Sequence, residues 1–270
     1  MEFPNLKILQ DLNIPIDTDV GYDEILEMRV KTDNERTGSL EGYDCKICKN
    51  KGYIAKIKDE SEVFAECRCM KVRKTLRRIE DSGLKKQLRE CTFKNYEIWG
   101  KWCEVLKSRA LQFTEKEHGF LFMGGQSGCG KTHLCTAAVG QFIRKGYSAR
   151  YFVWRDDSPK LKALVNDPEY AKKISEYKNA DVLYIDDLFK CGNNESDKVS
   201  NADVKLAFEL IDFRARNEMI TIISSNYDIE EIIDTDEPLG GRIFQMSDDF
   251  CINIPPDRNK NYRLRKKVIL

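Results

Sequence analysis

The chain has 270 residues, 41% of them hydrophobic and 33% charged, with 45 lysines and arginines set against 45 aspartates and glutamates. That length suits one α/β domain plus a smaller module, and the apolar content excludes an intrinsically disordered chain. Zero net charge excludes bulk attraction to nucleic acid, and no apolar run reaches the roughly 18 residues of a membrane span.

The opening MEFPNLKILQDLN lacks the basic-then-apolar layout of a secretory signal, so a cytoplasmic protein with no membrane partner is expected. A short helix broken by Pro4 and Pro15 leads into the polar stretch KTDNERTGSLEG. Ten cysteines follow an uneven pattern. Cys91, Cys103, Cys129, Cys135, Cys191 and Cys251 are scattered, as small buried hydrophobes are. Cys45, Cys48, Cys67 and Cys69 crowd into 25 residues with the spacing C-x2-C-x18-C-x-C. Four thiolates are the complement of a closed tetrahedral structural Zn²⁺ site. The alternation of Tyr53, Ala55 and Ile57 suits a strand or hairpin that returns the second pair to the first, and Gly52 permits the tight turn. Both histidines, His118 and His133, lie far from the cluster, so the expected site is all-cysteine. No thioredoxin-like strand–helix context supports a redox pair instead.

Met70, Val72, Leu76, Ile79, Leu84 and Leu88 recur at helical spacing, with Gly83 expected to divide the stretch into two helices. Its basic residues, including Arg68, Lys71, Arg73, Lys74, Arg77 and Arg78, read equally as a DNA-binding face or as the solvated face of a linker. A domain junction is placed near residue 90. This gives an N-terminal region 1–90, with the cysteine module at about 41–70, and a larger domain 91–270.

In the larger domain, apolar β-rich runs at 120–123, 149–154, 182–185, 220–224 and 250–254 alternate with helical stretches at about 131–145, 158–178 and 201–217. Strands apolar on both faces, alternating with helices, predict a parallel five-stranded sheet covered on both sides.

Between the first strand and the first helix, Gly125, Gln126, Ser127, Gly128, Cys129, Gly130, Lys131 and Thr132 fit G-x-x-x-x-G-K-[ST] in full, with His133 next. The glycines let backbone N–H groups wrap phosphates, and the helix offers its positive end. Lys131 would reach the β- and γ-phosphates of ATP, and the Thr132 hydroxyl would ligate Mg²⁺. VLYIDD at 182–187 ends an apolar strand in two carboxylates, placing Asp186 to hold Mg²⁺ and Asp187 to activate the attacking water. ITIISSN ends in Asn226, a turn residue by itself, but after this strand order a candidate γ-phosphate sensor.

With these residues in this order and spacing, the chain resembles the AAA+ ATPases, and within them the DnaC/DnaI-type replicative helicase loaders and the related IstB transposition ATPases. The resemblance covers roughly residues 90–270. TFKNYEIW at 92–99 is similar to the family segment near the adenine, LGGRIFQM at 239–246 to its arginine-finger box, and NYRLRKK at 261–267 to its terminal motif. The resemblance implies that Arg242 acts in a neighbouring subunit's ATP site and that Arg263 contacts the γ-phosphate in its own. It also implies a core without the helical lid of typical AAA+ proteins. The family usually carries Glu where Asp187 stands, so slow turnover is expected. A helical insertion between the second and third strands grips single-stranded DNA in loaders. Here Arg155, Lys160 and Lys162 would be its basic contacts and Tyr170 or Tyr177 its stacking rings, while Asp156, Asp157, Asp167 and Glu169 make a solvated face nearly as good a reading. The expected function is ATP-dependent loading of a hexameric replicative helicase onto single-stranded DNA, with docking through residues 1–90 and self-assembly through the ATP site. Transposition helper and ATP-switched binding module stand as alternatives.

Overall fold

A computed structural model describes residues 21–81, 85–190 and 198–265. The expected first helix, the Gly83 break and Cys191 lie outside these residues. The chain divides into two compact units at 70/71, twenty residues before the junction placed from sequence. The reason is packing. Val72 and Thr75 are buried, and Thr75 Oγ1 accepts a hydrogen bond from the Ala149 amide at 3.3 Å, so residues after 70 join the larger unit.

In the smaller unit, helix α1 (Tyr22–Glu35) accompanies a hairpin of β1 (Tyr53–Lys58) and β2 (Ser61–Glu66). The two-residue turn, Asp59 and Glu60, has φ of 50° and 56°, the left-handed pair that matches the twist of paired strands. Asn34 brackets the strand: its Nδ2 donates to Ala55 O at 2.9 Å while its Oδ1 accepts from Ala55 N at 3.0 Å. Apolar burial among its described residues, 21–70, is slight, with Leu26 and Ala55 joining the four clustered cysteines.

In the larger unit, helices α2 (Cys69–Asp81, which begins at the end of the smaller unit), α3 (Lys85–Glu90) and α4 (Lys101–Phe113) precede the sheet. The sheet strands are β3 (Phe120–Gly125), β4 (Ala149–Val153), β5 (Val182–Leu188), β6 (Ile220–Ser225) and β7 (Cys251–Ile254). Their order is β4-β5-β6-β3-β7, all parallel, as predicted. β3 and β6 are buried at every position, which explains their unbroken apolar runs. Helix α5 (Lys131–Arg144) follows β3, and α8 (Asn201–Arg216) leads to β6. Because β5, β6 and β3 are neighbours, the residues ending them meet at one edge.

The helical stretch expected at 158–178 is two helices, α6 (Trp154–Ala163) and α7 (Glu169–Lys178). Pro168 stands at the break, where it lacks an N–H and disfavours helical geometry at Asp167. Helices α9 (Ile229–Thr235) and α10 (Glu237–Ser247) fill the β6–β7 connection. Their start signals are legible in sequence: Asp228 with Glu231 forms a capping box, and Asp236 Oδ1 accepts from Leu239 N at 2.9 Å.

Arg214 of α8 is fully buried and joins three elements. Its guanidinium donates to the carbonyls of Lys178 and Ala180 at 2.8 Å each, Tyr177 at 3.1 Å and Ile220 at 2.6 Å, and to Thr221 Oγ1 at 2.9 Å. Burial lowers its pKa to about 9, and Asp181 opposes that shift. The carbonyls at the C-terminal end of α7 otherwise lack helical donors, and their partial negative charge suits a cation. Replacing Arg214 by Met keeps the stem but strands these acceptors, and is predicted to cost about 3 kcal/mol or more in chemical denaturation. A loss under about 1 kcal/mol would show that water replaces the guanidinium.

Candidate functional site

The loop from Gly125 to Gly130 turns on three glycines in the left-handed region, with φ of 93° at Gly125, 75° at Gly128 and 97° at Gly130. Space demands glycine as well as angle: a Cβ at Gly125 would stand 2.2 Å from the Ile254 carbonyl oxygen. Lys131, 5% exposed, points back under the loop and donates to Gly125 O at 2.7 Å, Gln126 O at 2.8 Å and Asn226 Oδ1 at 3.2 Å. Burial lowers the pKa of its ammonium, against the pull of nearby groups that include Asp187. Cys129 is buried, bonds through its thiol to Gln126 O at 2.9 Å, and has its pKa raised by burial, so it serves packing.

Asp186 is the hub of the site. Its Oδ1 accepts from Ser224 Oγ at 2.5 Å, Tyr184 OH at 2.7 Å and Thr132 Oγ1 at 3.1 Å, and its Oδ2 accepts from Tyr151 OH at 2.6 Å. Burial, reinforced by Asp186, pushes both phenols far above their ordinary range, so they remain neutral donors. A hydroxyl and a carboxylate oxygen, meeting beside the phosphate loop, are hard donors of the kind Mg²⁺ takes, so Thr132 and Asp186 fit that ion. Tyr151, Tyr184 and Ser224 escaped the sequence reading. Tyr184 shares the face of β5 with Asp186, and Tyr151 is its cross-strand partner on β4. The period-2 signal existed, but the strand order was needed to use it.

A cavity of about 300 Å³ opens onto the loop. Ser127, Gly128, Gly130, Lys131, Thr132 and His133 form its floor. Asp187 and Asn226 line it from the ends of β5 and β6, joined by Lys190, which sequence reasoning missed. Tyr96 and Trp99 contribute an aromatic side next to Asn95, anchored where His133 Nε2 meets Thr92 O at 2.9 Å. The C-terminal segment closes over the loop: Asp257 N donates to Gln126 Oε1 at 2.7 Å and Tyr262 N to Gly128 O at 2.9 Å. Tyr262 also packs on Trp99, ring centroids 5.3 Å apart, and brings Arg263 to the cavity wall. Arg242 is elsewhere. It lies on α10, pairs with Asp212 at 3.0 Å and lines a different surface depression, beside Phe208, Pro238 and Gln245.

Several residues suggested for DNA contact have structural partners. Lys162 pairs with Asp203 at 2.6 Å, Tyr170 OH donates to Glu209 Oε2 at 2.5 Å, and Tyr177 packs edge-on against Phe152 with centroids 4.9 Å apart. Lys160 pairs with Asp157 at 3.1 Å on an exposed surface, and Arg155 is exposed.

In the smaller unit, the Sγ atoms of Cys45, Cys48, Cys67 and Cys69 all lie within 4.8 Å of one another. Cys45 and Cys67 sulfurs are 3.8 Å apart, and those of Cys48 and Cys69 3.4 Å. A tetrahedron with zinc–sulfur bonds of about 2.3 Å requires sulfur–sulfur edges of about 3.8 Å, so the group fits zinc. Left-handed backbone at Lys49, Asn50 and Gly52 curls the chain around Cys48, whose sulfur accepts from Gly52 N at 3.3 Å. Burial raises the Cys48 pKa, but the Gly52 N–H and the neighbouring thiols outweigh it and bring the pKa to about 6, favouring the thiolate a metal needs.

Comparison with known proteins agrees with this geometry. The profile of the IstB-like ATP binding protein family matches residues 61–267. The phage-like element PBSX protein XkdC of Bacillus subtilis is 31% identical over 223 residues, spanning 78% of this chain and 82% of that protein. The replicative helicase loader DnaC of Escherichia coli is 25% identical over 173 residues, spanning 62% of this chain and 66% of its own length. Among solved structures, DnaI superposes with a TM-score of 0.51 at 18% identity, covering 63% of this chain and 93% of that one, which is a likeness of fold. With its five-stranded parallel core and complete phosphate loop, the chain belongs to the IstB-like ATP binding proteins, within the AAA+ ATPases.

Proposed function

We propose that this protein is an ATP-dependent loader of a hexameric replicative helicase onto single-stranded DNA. The observation that carries the reading is the placement of Arg242. Phosphate loop, Asp187, Asn226 and Arg263 line one cavity, while Arg242 faces outward on a separate surface. A site complete except for one arginine, with that arginine presented to the outside, suits an ATPase that works by self-assembly. Similarity to a replicative helicase loader supports a helicase as the object of that assembly.

In this reading Lys131 binds the β- and γ-phosphates, while Thr132 and Asp186 hold Mg²⁺, which neutralises phosphate charge when bound. Asp187 takes the proton of the attacking water, and Asn226 and Arg263 contact the γ-phosphate from within the subunit. Arg242 of an adjacent copy stabilises the charge that develops as the phosphoryl group leaves. The shorter Asp187 makes intrinsic turnover slow. ATP binding assembles the loader, and hydrolysis releases it. The smaller unit docks on the helicase, with Zn²⁺ on the four cysteines tying together a region whose described residues bury little hydrocarbon. Reduced thiolates and a replication partner fit the cytoplasm, and no helix among the described residues is long and apolar enough to cross a membrane.

Replicative helicase is predicted to be captured from source-cell lysate by the full chain and not by one lacking residues 1–70. Lys131→Ala is predicted to lower ATP hydrolysis at least about 100-fold. Recovery of a transposase without helicase would overturn the loader reading. The purified protein should carry one zinc ion per chain by atomic emission. Cys67→Ser is predicted to lose that zinc and helicase capture together while ATP hydrolysis persists; a zinc-free wild type that still captures helicase would contradict the assignment.

A further inference from the structure

The turn after Asp187 is strained, anchored by the buried Leu188 and Phe189, and carries Asp187 and Lys190 to the cavity. Asp187 has φ of 55° and Phe189 φ of 64°, conformations side chains rarely adopt. The register of β5 against β6 shifts between Ile185 and Leu188, so the acidic pair bulges from the sheet. Three ties keep the chain there. Asp187 N donates to Ser224 Oγ at 3.1 Å, Ser225 Oγ donates to Leu188 O at 2.8 Å, and Phe189, 1% exposed, packs edge-on against Trp154 with centroids 5.4 Å apart. The result is a tight reversal in which Lys190 N donates to Asp187 O at 2.9 Å. That reversal returns the Lys190 side chain over the carboxylate, with Nζ 2.5 Å from Asp187 Oδ2.

The ion pair itself is a poor reason for so constrained a turn. Its lysine is 39% exposed, and exposed pairs contribute little to stability. Strain retained by surrounding structure concentrates where a side chain must be placed for chemistry. Lys190 lines the same cavity as Lys131, Asp187 and Asn226. Two ammonium groups on one cavity, of which Lys190 alone is paired with the Asp187 carboxylate, form a site that a further anion completes.

We propose that Lys190 is a second phosphate-contacting cation of the ATP site, which bridges Asp187 and the γ-phosphate and so positions Asp187 for the attacking water. This rests on the reading of the cavity as an ATP site with Asp187 as its base. The flexible four-carbon stem of lysine allows contact with both anions from one backbone position. Lys131 serves the phosphates from beneath the loop, while Lys190 serves only an occupant that extends as far as Asp187. Lys190 therefore separates triphosphate from diphosphate.

The test uses the full chain with Lys190→Gln, which keeps the stem and the turn, and Lys190→Arg, which keeps the charge. Affinities for ATP and ADP are measured by displacement of a fluorescent nucleotide, and kcat and KM by phosphate release. Lys190→Gln is expected to weaken ATP about tenfold while ADP stays within about twofold, and to lower kcat about tenfold to a hundredfold. Lys190→Arg is expected to recover ATP affinity to within about threefold. Equal losses for ATP and ADP, unchanged ATP affinity in Lys190→Gln, or failure of Arg to rescue would each overturn the proposal. Two controls separate it from the reading beneath it. Lys131→Ala that leaves both nucleotides bound as tightly as before would sink the ATP site itself. Asp187→Asn that hydrolyses normally would remove the base, while a surviving triphosphate preference in that variant would retain the phosphate contact of Lys190.

Discussion

A single buried carboxylate organises the larger unit. Asp186, 7% exposed, takes hydrogen bonds from hydroxyls on β4, β5, β6 and α5. A buried carboxylate left alone is costly, and four hydroxyl donors offset that cost without neutralising its charge. The same four bonds fix the geometry between the strand ends and the phosphate loop, because Thr132 is both a donor to Asp186 and the residue after Lys131. Fold and nucleotide chemistry thus share one set of contacts. The choice of phenols as donors also matters, since burial and Asp186 raise their pKa values and keep them neutral beside the carboxylate.

Around this fixed centre the remaining functional groups come from segments that are distant in sequence. The P-loop is held from below by β3 and from above by the strap of Asp257 and Tyr262, so a change at the C-terminal segment is felt at Gly128 through one hydrogen bond. Arg242 alone stands apart, on a helix whose Asp212 partner keeps its guanidinium extended along the surface. The smaller unit follows another rule. Among its described residues Leu26 and Ala55 are the buried apolar side chains beside the thiols, and four cysteines placed to fit zinc stand where a hydrocarbon cluster would.

The parts legible in sequence were those whose signal is local. The eight-residue phosphate motif, the apolar strands ending at Asp186 and Asn226, and the paired cysteine spacing each carry their meaning within a few residues. What could not be read depends on pairing across the sheet or on backbone angle. Tyr151, Tyr184 and Ser224 meet Asp186 only because β4, β5 and β6 are neighbours, and Lys190 reaches Asp187 only because two non-glycine residues adopt positive φ. Tyr170 and Tyr177 looked available as stacking rings because sequence shows an aromatic residue without showing Glu209 and Phe152 beside it. The compact units part at 70/71 and not near residue 90 for a similar reason: Thr75 joins the larger unit through a bond to Ala149, 74 residues away.

The proposed mechanism requires two subunits for ATP hydrolysis, one supplying the loop and acidic pair and the other Arg242. The most direct test mixes Lys131→Ala and Arg242→Ala proteins, each inactive alone. If the site is shared, about a quarter of the interfaces in a random head-to-tail assembly join an intact loop to an intact arginine, and hydrolysis returns to about that fraction of wild type. A mixture as inactive as its parents, or an Arg242→Ala protein that hydrolyses ATP at the wild-type rate alone, would contradict the account.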